Sequence, residues 1–455
     1  MQKETEIKLR ASRETLLALR EHPLLKKRNK SGWSRHELFN QYYDTADRAL
    51  AQARVALRLR RDGEQFIQTL KSRGQSVAGL SERNEWDWYL DKPKLDLKKL
   101  DDQCWPASLA ELDKKTLKPI FTTDFVRENA EIAWGRGKAK VVIEAALDLG
   151  KVVAGKQGEE ICELELELRQ GEPEALLELA AELAADLALM PCDISKAERG
   201  YRLQDPDSFS LSLPTPQLDA DMPLDDAFAA LAWQLLGNSQ RLAEQYRFNG
   251  RWKLLGEWLQ QLVELRALLG SLGQAAPRAS SRELREQLDA LILDWRPRVE
   301  AGRDEDSVRQ AAPAQFVDEL NQPRWGLFSL RTSLWLLQRG WTAGRNNRGE
   351  RQGGAELGKW LPRLLAEEAV ALQLSRYQQQ PEDLAEQRPR MERLLVWLHL
   401  ARATLELPET DRLYGELSKL YELAQQPLDE EGLQARATQA HTVWTLKPWK
   451  MLSKM

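Results

Sequence analysis

The first segment of the chain places acids and bases at alternate positions. In ETEIKLR, Glu4 and Glu6 are followed by Lys8, with Thr5 and Ile7 between them. Extended backbone sends alternate side chains to opposite faces, so the three charged residues share one face. Carboxylates on such a face can bind a hard cation such as Mg²⁺ or Mn²⁺. That cation could polarise a phosphoryl group and orient water for attack, while the neighbouring base binds phosphate.

Charged residues recur at the same two-residue spacing elsewhere before residue 206. The segments are ARVALRLRR, SERNEWDWYL, VVIEAALDLG and ICELELELRQ. The residues expected to share faces are Arg54, Arg58 and Arg60; Arg83, Glu85 and Asp87; Glu144 and Asp148; and Glu163, Glu165, Glu167 and Arg169. Lys71 ends another such segment, with Thr69 and Ile67 on its side. Like charges two residues apart repel unless opposite charges lie among them.

Two structures account for this alternation. In one, each charged face is the solvated side of a half-buried antiparallel strand, which is the ordinary pattern. In the other, the strands close into a barrel whose lumen is lined by the charges, while the apolar faces lie outside beneath helices and loops. One face that is almost all arginine and another that is all glutamate favour the lumen. Such a tunnel would bind a polyanion together with a divalent cation.

The periodicity of the chain changes near residues 205–224, a segment rich in Pro, Ser and Asp. Period-2 segments come before it, at 3–10, 53–61, 64–72, 82–90, 119–129, 139–148, 151–154 and 160–169. Helices are expected at 12–21 and 173–189. After it, helical periodicity predicts 225–247, 251–270, 281–295, 315–338, 357–378, 384–404 and 410–425. We therefore predict two domains, a β-domain at 1–204 and an all-α bundle at 225–455, joined by the linker 205–224.

Composition restricts the partners and the compartment. The 455 residues carry 66 Lys+Arg and 70 Asp+Glu, a net charge of −4, so nucleic acid is not an expected partner. The sequence has no apolar run of membrane-spanning length, and its charged start does not resemble a signal peptide. Three cysteines without a CxxC pair indicate a reduced, cytoplasmic protein.

A set of ordered motifs in residues 1 to about 203 resembles the CYTH family, also called triphosphate tunnel metalloenzymes. The motifs are ExExK at 4–8, LRLRR at 57–61, TLK at 69–71, SERNEW at 81–86, TDFVR at 123–127, ELELE at 163–167 and SKAERGY at 195–201. The resemblance implies an antiparallel eight-stranded β-barrel with peripheral helices. It also implies a tunnel that binds triphosphate compounds with Mg²⁺ or Mn²⁺.

The resemblance assigns roles residue by residue. It gives the phosphate chain to Lys8, Arg58, Arg60, Lys71, Arg83, Arg127 and Lys196. It gives the metal to Glu4, Glu6, Glu163 and Glu165, with Glu167 and Asp148 as further candidates. Weaker candidates are Arg54, Arg61, Glu85 and Arg199, of which Arg199 could equally tie the last segment to the barrel. The proton acceptor is not identified, since metal-bound hydroxide or a lysine such as Lys8 or Lys71 would serve.

The helical half resembles a degenerate CHAD domain, a module that often follows CYTH domains. Only His399 and His441 remain of the histidines typical of that family. Two groups of bases are either solvated faces or an anion-binding patch: Arg241, Arg247, Arg251 and Lys253; and Arg388, Arg390, Arg393 and Arg402. We expect an auxiliary domain that packs against the barrel, assists assembly, or binds polyphosphate or a protein partner.

The order of the two modules resembles that of bacterial inorganic triphosphatases, which implies hydrolysis of tripolyphosphate to pyrophosphate and phosphate. Thiamine triphosphatase and class IV adenylate cyclase activity remain alternatives on the same fold. A non-catalytic polyphosphate-binding scaffold is the alternative from another class. The segment GKVVAGKQ at 150–157 matches the spacing GxxxxGK, but Gln157 stands where Mg²⁺ coordination needs Ser or Thr. We interpret it as a hairpin.

Overall fold

The computed structural model describes residues 2–72, 74–77, 79–135, 141–206, 210–213, 216–405, 407–426 and 428–454. The predicted linker 205–224 therefore lies partly outside the described residues, at 207–209 and 214–215. The chain forms two compact units. The barrel unit comprises Met1–Leu213, Leu236–Trp258 and Arg298–Gln338; the helical unit comprises Pro214–Leu235, Leu259–Pro297 and Arg339–Met455. The predicted boundaries at 204 and 225 stay a prediction.

The strands of the barrel unit form one antiparallel sheet. They are β1 (Gln2–Arg10), β2 (Ser34–Asp44), β3 (Ala56–Asp62), β4 (Gln65–Lys71), β5 (Gln75–Val77), β6 (Leu80–Leu90), β7 (Lys118–Trp134), β8 (Val141–Ala154), β9 (Gln157–Gln170) and β10 (Met190–Pro191). Eight of them close into a ring in the order β1-β9-β8-β7-β2-β3-β4-β6, and β6 pairs back with β1. The predicted eight-stranded antiparallel barrel is confirmed.

Glycines in the left-handed region make two of the tight turns. Gly63, at φ 58°, lies between β3 and β4, and Gly155, at φ 60°, lies between β8 and β9. The GxxxxGK-like segment is therefore a hairpin, as predicted. Its first glycine, Gly150, lies inside β8, where a Cβ would come within 2.2 Å of the carbonyl oxygen of Asp124. Close strand packing explains that glycine without a phosphate.

Short helices flank the barrel strands. They are α1 (Arg13–Glu21), α2 (Pro23–Arg28), α3 (Ala49–Gln52), α4 (Glu174–Ala184) and α5 (Lys196–Gln204). Serine caps begin α1 and α5, because the hydroxyl oxygens of Ser12 and Ser195 accept hydrogen bonds from the backbone N–H groups of Thr15 and Glu198, both at 3.1 Å.

The hydrophobic core lies outside the barrel wall. Ile7 and Leu9 on β1 and Leu164 and Leu166 on β9 are fully buried and pack with α1, α2 and α4. On the other side, the outward residues of β3 and β4 pack under the segment 95–117. Burying these outward faces leaves the alternate, charged faces for the lumen. The predicted outward direction of the apolar faces is confirmed.

Three local predictions were wrong. The strand β2 was missed, because its alternate residues include His36, Leu38 and Asn40 and give no run of like charge. The predicted strands 139–148 and 151–154 form the single strand β8 from Val141 onward, and positions 139 and 140 lie outside the described residues. Arg54 precedes β3 in a turn with φ 56°, so it does not share the face of Arg58.

The rest of the described chain is mostly helical, which confirms the predicted all-α character. The helices are α6 (Leu224–Asn249), α7 (Trp252–Ser271), α8 (Arg282–Ala301), α9 (Asp306–Leu320), α10 (Pro323–Leu337), α11 (Asn347–Gly353), α12 (Leu357–Leu372), α13 (Arg388–Leu400), α14 (Thr410–Leu423), α15 (Glu430–Thr445) and α16 (Lys447–Leu452). The predicted helix 315–338 was wrong in one respect, since it is divided before Pro323, which begins α10. None of the described helices combines the length and apolarity needed to cross a bilayer.

Several of these helices belong wholly or partly to the barrel unit. The C-terminal part of α6, together with α9 and α10, belongs to it. Helix α10 packs against α4. At Gly326 a Cβ would lie 1.9 Å from the carbonyl oxygen of Leu189, so the helix approaches the backbone as closely as glycine allows.

Candidate active site

The lumen holds a cavity of about 720 Å³ that is lined from all eight strands of the ring. The predicted residues that line it are Glu4, Glu6, Lys8, Arg58, Arg60, Lys71, Arg83, Arg127, Glu165, Glu167 and Lys196. Asp148 and Glu163 are not among the lining residues. The alternative in which the charged faces are solvated outer surfaces is therefore wrong.

The strand register places acids opposite bases. Glu4 of β1 lies opposite Arg83 of β6, and Lys8 of β1 lies opposite Glu165 of β9. Cross-strand partners are close enough for direct ion pairing. The strand register thus neutralises like charges that would repel each other within a single strand.

Lys71 joins two carboxylates on one side of the cavity. Its Nζ lies 2.9 Å from Glu4 Oε2 and 2.6 Å from Glu85 Oε2, and Arg58 Nη2 lies 3.4 Å from Glu85 Oε1. Burial opposes ionisation of Glu85, but Lys71 and Arg58 outweigh it and lower its pKa to about 2. Burial also opposes the charge on Lys71, yet Glu4 and Glu85 raise its pKa. The ammonium form therefore dominates at neutral pH, which argues against Lys71 as the proton acceptor.

Glu6 is buried between two bases. It forms ion pairs with Lys8 and Arg83, and 3% of its surface is exposed. Burial alone would raise the pKa of Glu6, but Lys8 and Arg83 outweigh burial and lower it. The carboxylate is therefore ionised at neutral pH.

Lys196, the first residue of α5, gathers three carboxylates. Its Nζ lies 2.7 Å from Asp148 Oδ2 and 3.0 Å from Glu165 Oε1, and it also pairs with Glu163. Arg127 Nε donates to Asp148 Oδ1 at 2.7 Å. We name Arg127, Asp148, Glu163, Glu165 and Lys196 the Lys196 cluster. Lys196 lines the cavity, and Asp148 and Glu163 support it without lining the cavity.

Arg60 differs from the other cations of the lumen. Its Nε donates to Asn40 Oδ1 at 2.8 Å, and no carboxylate of the described residues lies within ion-pair distance. Burial and the positive charges of Arg58 and Arg127 lower the pKa of Arg60 to about 9, so it remains a guanidinium at neutral pH. A half-buried cation that has no carboxylate partner among the described residues is suited to binding phosphate.

Glu167 lies among other acids. In the register it faces Glu6 on β1 and Glu144 on β8, and it pairs with Arg169 Nη1 at 2.5 Å. Burial raises its pKa; Arg169 opposes this, but repulsion from Glu4, Glu144 and Glu6 adds to burial, and the pKa is about 7. This side of the lumen therefore carries more negative charge than its bases neutralise.

Comparison with known proteins agrees with a closed antiparallel barrel whose lumen carries both signs of charge. Residues 2–201 match the CYTH domain. The resemblance drawn from the motifs is thereby confirmed for this part of the chain, whereas the CHAD-like character of the helices stays a prediction.

Individual relatives were also found. An inorganic triphosphatase from Haemophilus influenzae is 34% identical over 166 residues, which are 36% of this chain and 46% of that protein. The chain thus spans less than half of this curated relative's length. A candidate adenylyl cyclase from Hippeastrum, described as having a dominant triphosphatase activity, is 21% identical at a TM-score of 0.32, covering 45% of this chain and 99% of its own. A solved inorganic triphosphatase is 17% identical at a TM-score of 0.16, covering 39% and 80%.

Two groups of carboxylates in the CYTH domain are candidates for a divalent cation. In the Lys196 cluster, oxygens of Asp148, Glu163 and Glu165 lie within 4.8 Å of one another, but Lys196 already binds all three. The second group is Glu4, Glu6, Glu144 and Glu167. The raised pKa of Glu167 marks uncompensated negative charge there, and oxygen donors suit Mg²⁺ or Mn²⁺. Excess negative charge therefore favours the second group, whereas among the described residues only the first group brings three carboxylate oxygens within 4.8 Å of one another.

The weaker candidates are placed differently. Arg61 is exposed and lies over the ring of Phe39, and Arg54 does not line the cavity. Arg199 is fully buried and pairs with Glu163 and Glu159, outside the cavity lining. Its position favours a structural role, in which Arg199 ties the last segment to the barrel, over contact with the substrate.

Sequence reasoning missed some functional partners. Asn40 orients Arg60, and Arg169 pairs with both Glu167 and Glu144. The sequence analysis placed Arg169 on the charged face of β9 but gave it no role. Asn40 carries no charge, so nothing in the sequence marked it.

The two groups of bases in the helical half are extensively paired. Arg241 pairs with Glu198 at 2.5 Å, and Arg393 pairs with Glu368 at 2.9 Å. His399 Nδ1 lies 2.9 Å from Glu264 Oε1. These ion pairs argue against an anion-binding patch.

Proposed function

We propose that this protein is a metal-dependent inorganic triphosphatase that hydrolyses tripolyphosphate to pyrophosphate and phosphate. One observation carries the proposal: a lumen lined by eight Lys/Arg and eight Asp/Glu side chains. A lining with equal numbers of acidic and basic side chains does not strongly attract a polyanion that carries no cations. It does suit a polyanion that enters with divalent cations, because both signs of charge then find partners.

The cationic side chains would bind and orient the phosphate chain. Arg60 is available without breaking an ion pair with a carboxylate, whereas Lys8, Arg58, Lys71 and Arg83 would exchange carboxylate partners for phosphate oxygens. Lys196 and Arg127 would bind phosphate from the other side of the lumen. Mg²⁺ or Mn²⁺ bound by Glu4, Glu6 and Glu167 would polarise a phosphoryl group and lower the pKa of a water molecule.

The lining also favours a phosphate chain without an organic group over a triphosphate that carries a nucleobase or a thiazole. Trp86 and Trp88 touch the cavity, but both pack with the cluster of Leu57, Leu70 and Trp105 outside the barrel wall. The other aromatic residues of the lining also have partners, because Lys196 and Arg127 lie over the ring of Phe125 and Tyr42 stacks on Phe121. Thiamine triphosphatase and class IV adenylate cyclase remain the alternatives, and a polyphosphate-binding scaffold is the non-enzymatic one.

The remaining assignments are proposals of the same kind. The 34% identity to an inorganic triphosphatase supports the substrate class over the matched residues. The helical half would bind polyphosphate or a protein partner, or assist assembly. A cytoplasmic location stays a prediction that rests on cysteines, all three of which are free and buried.

The test is phosphate release by the purified full chain with Mg²⁺ or Mn²⁺. Tripolyphosphate, ATP, thiamine triphosphate and long-chain polyphosphate are compared in parallel. We expect turnover of tripolyphosphate far above the others, and none in a chelator. Binding without turnover of any substrate would favour the scaffold and refute the enzyme.

Glu6→Gln tests the site in the same assay. We expect metal-dependent turnover to fall by about a hundredfold or more, because the variant loses a metal-binding carboxylate. Glu37→Gln is the control, since Glu37 is an exposed residue of β2 outside the cavity lining. Equal activity of both variants would mean that the metal is bound elsewhere.

A further inference from the structure

A carboxylate from the helical half is buried among arginines of the barrel. Glu244 of α6 has no exposed surface, and its Oε1 lies 3.1 Å from Arg202 Nη2 and in ion-pair contact with Arg10. Its Oε2 lies 3.4 Å from Arg247 Nε. All four residues belong to the barrel unit. A buried carboxylate of this kind is stable only with its cations in place.

A second carboxylate completes this group. Glu159 Oε1 of β9 lies 2.9 Å from Arg10 Nη2, 2.8 Å from Arg202 Nη2 and 3.0 Å from Arg199 Nε. We name Arg10, Glu159, Arg199, Arg202, Glu244 and Arg247 the Glu244 cluster. It holds four guanidinium groups and two carboxylates, so positive charge is in excess. Burial and the charge of Arg10 lower the pKa of Arg199, whereas at Arg10 burial is outweighed by Glu244 and Glu159, which raise its pKa.

Glu163 links the Glu244 cluster to a residue that lines the cavity. Glu163 Oε2 accepts from Arg199 Nη1 at 3.0 Å, while its Oε1 pairs with Lys196. Glu163 is also the residue directly opposite Arg10 in the pairing of β1 with β9. Each oxygen of Glu163 therefore faces a different cluster, and Lys196 is the member that lines the cavity.

We propose that Glu244 is a positioning residue for Lys196. It acts through Arg10, Arg199 and Glu163, so that α6 contributes to substrate binding in the tunnel. This rests on the proposed function, in which Lys196 binds the phosphate chain. Without the charge of Glu244, four arginines share Glu159 and Glu163 alone. Arg10 and Arg199 then draw Glu163 away from Lys196, whose ammonium moves toward Asp148 and Glu165.

The test is Glu244→Gln in the full chain, with KM and kcat measured for tripolyphosphate. We expect KM to rise about tenfold with kcat changed less than about threefold, since small displacements of a binding group carry penalties of this size. Glu198→Gln is the matched control, because Glu198 of α5 also pairs with an α6 arginine, Arg241, and its side chain forms no ion pair with a described residue of the Lys196 cluster or the Glu244 cluster. A purely structural role would lower the active fraction and leave KM unchanged.

A compensated variant keeps the inference falsifiable. Glu244→Gln combined with Arg202→Gln removes one charge of each sign, and we expect its KM to return to within about threefold of the original. A KM for Glu244→Gln equal to that of Glu198→Gln overturns the inference. So does failure of both Glu244 variants to fold, because the cluster would then serve the fold alone.

Binding of tripolyphosphate by calorimetry separates this inference from the proposed function. If the unmodified chain binds tripolyphosphate without hydrolysing any triphosphate, the proposed function fails. A Kd about tenfold weaker in Glu244→Gln would still support the positioning role, and an unchanged Kd would overturn it.

Discussion

Two glutamates of one strand show how neighbours decide the state of a side chain in this lumen. Glu165 and Glu167 both point inward from β9 and both are substantially buried, which favours the neutral acid. Lys196, Arg127 and Lys8 outweigh burial at Glu165 and hold its pKa well below the usual range. At Glu167 only Arg169 opposes burial, and other acids add to it, so the pKa is about 7.

Glu167 should make the metal-free protein less stable as the pH rises. Its pKa is 4.5 as a free side chain and about 7 when folded, so the folded state holds the proton more tightly. The stability from this group is complete below pH 4.5 and is lost as the pH rises through about 7. We expect Glu167→Gln to have a higher Tm than the original chain at about pH 8 in a chelator, with the difference disappearing near pH 4.5.

Thermal melts across this pH range, with and without Mg²⁺, measure the effect. Adding Mg²⁺ at about pH 8 should raise the Tm of the original chain more than that of Glu167→Gln, because the ion neutralises the carboxylate. Glu37→Gln should follow the original chain throughout. A Tm difference independent of pH would show that Glu167 is not the titrating group.

At the scale of elements, α5 sets the position of Lys196 through its contact with β7. A Cβ at Gly200 would lie 2.3 Å from ring carbons of Phe121. Phe121 is buried and stacks on Tyr42 at 4.8 Å, so its ring has little room to move. Glycine therefore lets the helix lie directly on the strand, four residues after Lys196.

Gly200→Ala should both destabilise the barrel and weaken substrate binding. Overpacking of this kind costs about 1–3 kcal/mol and displaces the helix that carries Lys196. We expect a lower Tm and a higher KM for tripolyphosphate, with Phe121→Leu in the same chain restoring part of both. Gly415→Ala in α14 is the control, because its Cβ would meet nothing within 4 Å. An unchanged KM for Gly200→Ala would separate α5 from the site.

The sequence predicted the strands and helices whose formation depends on residues close together in the chain. Alternating charge identified β1, β3, β6 and β9, because one face had to be apolar and the other charged. The same signal failed at β2, where the inward residues are uncharged. Whether the charged faces lay inside the barrel depended on closure of the sheet. The family motifs, together with the alternating charges, predicted that closure.

The candidate site was predictable as a set of charges and not as a set of partners. Glu6 with Lys8 follows from one strand, since two residues on one face lie close together. Lys196 with Asp148 and Glu163 joins segments about fifty residues apart or less, through register and a helix that the sequence does not fix. The role of Glu244 depends on packing between distant segments, so no local pattern reveals it.

At the scale of the whole molecule, the barrel is completed by chain from beyond residue 213. Glu244 neutralises buried Arg10 and Arg202, and Phe248 lies over the guanidinium of Arg202 at 4.1 Å. Helix α10 packs against α4 on the outer wall. The buried arginines are therefore neutralised in part by a carboxylate from beyond residue 213, so we expect the first 204 residues to be less stable without it.

Truncation after Asp205 tests this dependence. The shortened chain leaves Arg10 and Arg202 with Glu159 as their carboxylate partner, and breaking a buried pair costs about 3–5 kcal/mol. In a domain of this size that loss lowers the Tm by about 10 °C, and removal of α10 lowers it further. A chain ending at Gln338 keeps every segment of the barrel unit and should retain the KM of the full chain. If the chain ending at Asp205 instead melts and turns over tripolyphosphate like the full chain, α6 is dispensable, because the barrel then tolerates its buried arginines without Glu244.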